Sequence, residues 1–433
     1  MAYFNPEEET LDRDGLASLQ RRKLGEMLRA VLPGNAFQQR RLGGIEFDPA
    51  TDPIDRLPFT TRAELQQDQA ENPPYGTNLT YPIEQYTRFH QTSGTTGVPL
   101  RWLDTTASWD WWKRCWMTIY RAAGITEHDR LLFPFSFGPF IGFWGAFDAA
   151  ATYGCLCLPG GHMTTTMRLH FMMENDATAI CCTPTYALRM GEVAVEEGID
   201  LAASSVRALI VAGEPGGSIP ATRERIETAW GARVFDHTGM TEIGPVGFEC
   251  EEARGGVHLN ESEFIVEVID PRTGKAVSDG ALGELVLTNL GRWGSPLFRY
   301  RSGDQVRITR DQCACGRWFA RMDGGIIGRV DDMFVVRGNN VFPSAVEGVI
   351  RRYPEIAEYR MVVVNSGLLR DLRIDIEPAA EVDADRLAAA VRAAVGEELH
   401  FTPIVQCVDP GTLPRFELKA RRLVREDEID APS

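Results

Sequence analysis

The sequence predicts an α/β protein: a large N-terminal domain of parallel-sheet subdomains plus a β-rich region, and a small α+β C-terminal domain. Three observations carry this. From about residue 105 to 290, helical stretches alternate with short apolar strands at Asp129–Phe135, Ala179–Thr183, Ala208–Ala212 and Arg233–Asp236, as in a parallel sheet covered on both faces. Residues 263–308 then change to hairpin material with Asp-Pro and Thr-Gly turns. The last stretch returns to α+β, with strands at Tyr359–Val364, Leu372–Glu377 and Ile404–Val408. Between them Asp383–Leu399 reads as an amphipathic helix, its apolar Leu387, Val391, Val395 and Leu399 spaced four apart.

At the N-terminus, residues 7–32 read as one helix, with Leu11, Leu16, Leu19, Leu24, Met27, Leu28 and Val31 on its apolar side. The segment Gly328–Asp332 reads as a hinge, which divides the chain into residues 1–328 and 329–433. With 433 residues, 44% hydrophobic and 24% charged, the chain has ample material for a core. Its 45 Lys+Arg against 61 Asp+Glu give a net charge of −16, which argues against nucleic acid as a partner. A small anionic substrate is not excluded, because a few local donors outweigh a diffuse field.

The most apolar run, Leu131–Phe147, is interrupted by Pro134, Gly138, Pro139, Gly142 and Gly145, so no membrane span is expected there. The acidic N-terminus lacks the basic and apolar regions of a signal peptide, and the expected location is cytoplasmic. Nine cysteines, an odd number, are expected to be thiols in a reducing compartment. Cys155, Cys157, Cys181 and Cys182 sit in apolar runs and read as small hydrophobes.

Five motifs carry chemistry. Thr92-Ser93-Gly94-Thr95-Thr96-Gly97-Val98-Pro99 offers glycines and hydroxyls able to wrap phosphate oxygens, although no Gly-Lys-Ser/Thr follows at Walker spacing. Asp236-His237-Thr238-Gly239-Met240-Thr241-Glu242 follows a strand and ends in a carboxylate suited to Mg²⁺ beside phosphates. Arg299-Tyr300-Arg301-Ser302-Gly303-Asp304, the segment from Gly328-Arg329 to Pro343, and Leu413-Pro414-Arg415-Phe416-Glu417-Leu418-Lys419 complete the set. Each alone also reads as a surface loop, charged turn, hinge or solvated lysine.

Together, in this order, they resemble the adenylate-forming superfamily of acyl-CoA synthetases and adenylation domains, and within it the phenylacetate–CoA ligase family. The resemblance runs from Glu9–Gln20 and Leu57-Pro58-Phe59-Thr60-Thr61-Arg62 to Lys419. It implies that Thr92, Ser93, Gly94, Thr95, Thr96 and Gly97 hold the ATP phosphates. Gly213, Glu214, Pro215, Asp236, His237 and Thr238 border the adenine and AMP, Asp304 accepts from the ribose hydroxyls, and Arg329 contacts the nucleotide. Glu242 would hold Mg²⁺, with Thr241 beside the α-phosphate. Asp331 would be the pivot of a mobile C-terminal domain, and Lys419 its catalytic cation. Arg337, Gly338 and Asn339 fall in the loop that would receive the thiol. Phe135, Phe137, Phe140, Ile141 and Gly213 fall where the acid pocket lies, and aromatic walls suit an aryl ring. Core packing accounts equally well for about half of the rings around Phe133–Trp144, Phe143 among them; Trp109, Trp111, Trp112 and Trp116 read as packing.

Two positions depart from the family. Val98 stands where the phosphate loop usually has Lys, and Thr238 where an aromatic usually flanks the adenine; His237 is a candidate substitute ring. Cys250, His258, Cys313 and Cys315 match a four-coordinate zinc set, with unrelated thiols as the alternative; a full ligand set makes such a zinc structural. Some phenylacetate–CoA ligase relatives carry similar cysteines and a metal here.

The implied reaction is ATP- and Mg²⁺-dependent adenylation of an aryl or arylacetic acid, then transfer to a thiol, CoA or a phosphopantetheine. A carrier-protein or amine acceptor, or nucleotidyl transfer alone as in deazaflavin-adenylylating relatives, are the alternatives within the superfamily. A P-loop kinase or NTPase is a rival disfavoured by the missing Walker lysine, and a non-catalytic zinc-dependent binding protein is another. Self-association into a homodimer is compatible with the sequence.

Overall fold

Asp12 divides the N-terminal helical stretch. Its carboxylate accepts from the Gly15 amide at 2.9 Å, starting a second helix, so the single helix expected over residues 7–32 is two: α1 (Pro6–Glu9) and α2 (Arg13–Val31). The computed structural model describes residues 3–92, 98–142, 144–336, 339–366, 369–379, 382–416 and 419–426. α3 (Ala36–Leu42) and α4 (Arg62–Glu71) follow, α4 opened by a Thr61/Glu64 capping box. Strands β1 (Tyr86–Gln91) and β2 (Arg101–Thr105) pair antiparallel, so the Ser/Thr/Gly motif is the connection of a two-stranded ribbon. α5 (Thr106–Ala122) leaves β2 directly and buries Trp109, Trp111, Trp112 and Trp116, as packing requires.

The main sheet has nine strands. β3 (Arg130–Phe133), β4 (Leu156–Pro159), β5 (Ala179–Cys182), β6 (Ala208–Ala212) and β7 (Arg233–Met240) are parallel, in the order β7-β6-β5-β3-β4. Their connections run through α6 (Trp144–Tyr153), α7 (Thr165–Glu174), α8 (Pro184–Glu196) and α9 (Pro220–Trp230). Two cores result from strand alternation: Leu131, Phe133, Cys181, Ile210 and Phe235 face one side, and Leu132, Ile180, Cys182, Leu209, Val211 and Val234 the other. Cys181 and Cys182 are therefore packing residues on opposite faces, and burial pushes both thiols up.

The sheet does not end where the parallel pattern does. β7 runs on to Met240, past the expected Asp236, because β8 (Gly244–Glu249) returns antiparallel to it. β9 (Gly256–Leu259) then pairs with β8. β10 (Phe264–Ile269), β11 (Gly283–Asn289) and β12 (Tyr300–Val306) form the expected hairpin region as a second, antiparallel sheet. β13 (Ile308–Thr309) and β14 (Arg321–Asp323) extend the main sheet beyond β9, and β15 (Gly328–Arg329) closes the second against β12.

From Phe334 the chain packs around a core of its own. β16 (Phe334–Val336) and β17 (Asn339–Val341) form a small ribbon, followed by α10 (Pro343–Ile350). β18 (Ile356–Ser366) and β19 (Leu369–Pro378) are a long hairpin. α11 (Ala384–Leu399), capped by Asp383, covers it with Leu387, Val391 and Val395. β20 (Ile404–Cys407) and β21 (Leu423–Arg425) flank the hairpin in parallel. No helix among the described residues is long and apolar enough to cross a membrane.

Candidate active site

The site lies where strand ends and connections meet between the two parts of the chain. Thr92 closes the β1–β2 connection: its amide donates to Leu100 O at 2.9 Å and its Oγ1 accepts from the Leu100 amide at 3.0 Å. Ser93, Gly94, Thr95, Thr96 and Gly97 lie outside the described residues. Val98, at the far end, is 76% exposed.

Glu242 sits in the turn between β7 and β8, largely buried, beside Thr241. That turn needs a close backbone approach: a Cβ on Gly239 would come within 3.0 Å of Gly244 O. The Glu242 carboxylate accepts from Arg62 at the start of α4, at 2.7 Å, and the Tyr300 hydroxyl stands 3.5 Å away. Arg62 also reaches Thr92 Oγ1 at 3.2 Å. One guanidinium thus joins the phosphate motif to the carboxylate motif. Sequence reasoning gave Arg62 and Tyr300 no role, although both fall inside motifs it singled out.

Asp304 lies on β12 directly across from Arg329 on β15, and the guanidinium donates to its carboxylate at 3.1 Å. Burial pushes the Asp304 carboxyl up to about 6, against the pull of Arg329. Asp331 is exposed, 3.9 Å from Arg329, between β15 and β16.

Gly213 follows β6 with φ of 99°, a left-handed conformation that favours glycine. The Lys419 side chain comes against it: a Cβ there would meet Lys419 Cε at 3.1 Å. Burial lowers the Lys419 pKa, while Glu214, Glu242 and Asp304 oppose that shift. Glu214, raised by burial, accepts from the Thr185 amide at 2.9 Å and the Ala420 amide at 2.7 Å, so it fixes the chain beside Lys419. Pro215 is exposed. Asp236 is bonded to the Ser218 hydroxyl, and burial raises its carboxyl to about 7.

His237 is a correction. Alternation along β7 turns its ring away from Asp236 and onto Trp116, with centroids 4.4 Å apart. Its Nδ1 pairs with Gly247 O at 2.6 Å, and burial lowers its pKa to about 4. Its ring therefore faces the core, on the opposite side of β7 from Asp236. Thr238 is half-buried opposite Gly247.

Beyond β3, Phe135 is buried and meets Phe137 at a tilt, ring centroids 5.1 Å apart. Phe137 in turn meets Trp144 at 4.4 Å and Phe147 at 5.2 Å. Ile141 is buried and Phe140 is 47% exposed. Phe143, Arg337 and Gly338 lie outside the described residues; the Asn339 backbone opens β17.

Cys250, His258, Cys313 and Cys315 are brought together, all buried, with donor atoms within 4.8 Å of one another. Cys250 Sγ to Cys313 Sγ is 3.8 Å, and Cys315 Sγ to His258 Nε2 is 3.6 Å. A tetrahedral zinc with arms of about 2.3 Å to sulfur and 2.0–2.1 Å to nitrogen separates its ligands by about 3.8 and 3.6 Å. The donor set fits that ion. The Arg317 guanidinium and the Glu9 carboxylate pair over this cluster, and Tyr3 donates to Cys315 O at 2.6 Å, so the N-terminal segment covers it.

Residues 55–291 match the AMP-binding enzyme family, and residues 338–426 match the AMP-binding enzyme C-terminal domain. The chain is 30% identical to a phenylacetate–coenzyme A ligase of Thermus thermophilus over 96% of this chain and 97% of that protein. It is also 30% identical to one of Escherichia coli, over 96% of each. Among solved structures, it resembles 2-hydroxyisobutyryl-CoA ligase in the postadenylation state with a TM-score of 0.91 and 27% identity, over 99% of this chain and 93% of that one. Against the same ligase in the thioesterification state the TM-score is 0.74 at 28% identity, over 98% and 93%.

Proposed function

The chain belongs to the phenylacetate–CoA ligase family of adenylate-forming enzymes, AMP-forming acid–CoA ligases, and on that premise we propose that its acid is aryl or arylacetic. The observation that carries the residue assignment is convergence from five separate segments: Arg62 links Thr92 to Glu242, and Lys419 lies against Gly213 within electrostatic reach of Glu242 and Asp304. Adenylation is needed because a carboxylate is a poor electrophile at neutral pH and AMP is a far better leaving group than hydroxide.

In this reading Asp304 accepts from the ribose hydroxyls and Gly213, Glu214 and Pro215 border the adenine. Glu242 would hold Mg²⁺, which offsets phosphate charge. Thr241 and Lys419 face the α-phosphate, where Lys419 stabilises charge as the acid attacks and pyrophosphate leaves. Residues 329–433 then turn about Asp331, withdrawing Lys419 and presenting Arg337–Asn339 to CoA. Phe135, Phe137 and Ile141 support an aromatic acid pocket beside β3.

The donor distances support a structural zinc at Cys250, His258, Cys313 and Cys315. The nine cysteines form no disulfide with one another, which supports a cytoplasmic setting.

A second reading, a short hydroxy acid, is favoured by the likeness to 2-hydroxyisobutyryl-CoA ligase. Pyrophosphate release with aryl, arylacetic and short 2-hydroxy acids, each with ATP, Mg²⁺ and CoA, separates the two. The aromatic reading requires turnover with aryl or arylacetic acids; activity confined to hydroxy acids would replace it.

A further inference from the structure

A fully buried ion pair stands directly behind the Thr241–Glu242 turn. Arg292 and Asp104 are both 0% exposed, and the guanidinium is bidentate to the carboxylate, Nε at 2.6 Å and Nη2 at 2.5 Å. Among the described residues, its remaining amine, Nη1, pairs with no side chain. It donates to two peptide oxygens, Thr241 O at 2.5 Å and Glu242 O at 3.1 Å. Trp102 and Trp112 hold the guanidinium between them, at 5.3 and 4.8 Å from their ring centroids.

We propose that Arg292 and Asp104 act as a clamp that positions the Thr241–Glu242 turn for adenylation. The inference rests on the proposed roles of Thr241 and Glu242. Arg292 touches neither nucleotide nor acid in this account, so it is a positioning residue.

Three features support the assignment. A guanidinium is a rigid fork, so fixing two of its edges on Asp104 fixes the direction of the third. Asp104 lies on β2, the strand that leaves the phosphate motif, so the clamp ties the carboxylate turn to that strand. The loop carrying Arg292 is held independently. Trp293 O accepts from Thr80 at 2.6 Å, Gly294 O from Tyr86 at 2.6 Å, and the Gly294 amide donates to Ser108 at 3.1 Å. Removing the guanidinium therefore releases the turn while its own loop stays docked. A buried ion pair is weak support for stability, since apolar replacements of similar volume are often neutral or stabilising. A role for this pair must then lie in what it holds.

The test compares wild type, Arg292→Lys and the apolar double variant Arg292→Met/Asp104→Leu. Lysine keeps the charge but cannot serve two carboxylate oxygens and two carbonyls in one plane. Three quantities are read: kcat for pyrophosphate release, the Mg²⁺ concentration giving half-maximal rate, and Tm. Wild-type turnover with some acid tests the functional reading itself; the ratio of variant to wild type tests the clamp.

The proposal expects kcat to fall roughly 10- to 100-fold, as for about 1 Å of misplacement, and the Mg²⁺ requirement to rise. The Tm of at least one variant should stay near wild type. Wild-type kcat and Mg²⁺ requirement in both variants would overturn it. So would losses in which Tm falls in step with rate in both, because the pair would then be ordinary core.

Discussion

Cys313→Ser breaks the donor set at the end of the long connection that begins after β8. Cys250 and Cys313 are 63 positions apart, and a bound ion would close that segment as a cross-link does. For a closed loop of this length, the chain-entropy relation gives an upper value of about 4 kcal/mol. At about 2.1 cal/mol/K per residue, unfolding roughly 330 residues carries about 0.7 kcal/mol/K, so the loss corresponds to about 6 °C in Tm. Protein purified without chelator should carry about one zinc per chain by elemental analysis. Cys313→Ser should lose that metal and about 6 °C together, and activity should fall only as order is lost. Removing zinc from wild type with a chelator should reproduce the shift. Less than about a tenth of an equivalent in wild type, or metal loss with unchanged Tm, would refute the cross-link argument.

Lys419→Ala should slow adenylation about 10²- to 10³-fold, while thiolysis of a supplied acyl-adenylate stays near wild type. Equal loss in both half-reactions would make it a docking residue. Asp304, raised to about 6 by burial, must be ionised to accept both ribose hydroxyls, so protonation competes with ATP. KM for ATP should rise about tenfold from pH 7 to pH 5, a trend absent in Asp304→Asn. Arg62→Ala removes the cation paired with Glu242 and should lower kcat/KM for ATP about tenfold; an unchanged value would confine the pair to the nucleotide-free protein.

The sequence-readable parts are those in which local pattern and tertiary need coincide. Val391 and Val395 lie on the inward stripe of α11 because one period serves both helix and core. Asp304 and Lys419 were legible because each sits in a motif whose residue types have few other uses together. Three things were not. The break at Asp12 is a capping decision, made by one carboxylate against seven apolar positions that all favour continuity. The turn of His237 into the core follows from strand parity: β7 runs on to Met240, so residues 236 and 237 take opposite faces, and a motif read as a loop hides that. Arg292 and Asp104 are 188 positions apart, and nothing local distinguishes a buried guanidinium from a solvated one.

On the proposed two-step reaction, the C-terminal part would dock for adenylation and undock for transfer to the thiol. The Arg422–Glu358 pair is buried, with contacts at 2.7 and 2.9 Å, but both partners belong to the C-terminal part and would move together. Among the described residues, what crosses to the N-terminal part includes Arg422 to Thr185 at 3.1 Å, the Ala420 amide to Glu214 at 2.7 Å, Arg329 to Asp304 at 3.1 Å and the Ser344 hydroxyl to Ile327 O. Glu214 is raised by burial, so holding its carboxylate in the closed cleft costs free energy that the two amides only partly return. Undocking gives that carboxylate back to water. A contact set of this kind places Lys419 against Gly213 without locking it there. Two states separated by a few kcal/mol are what alternating half-reactions require.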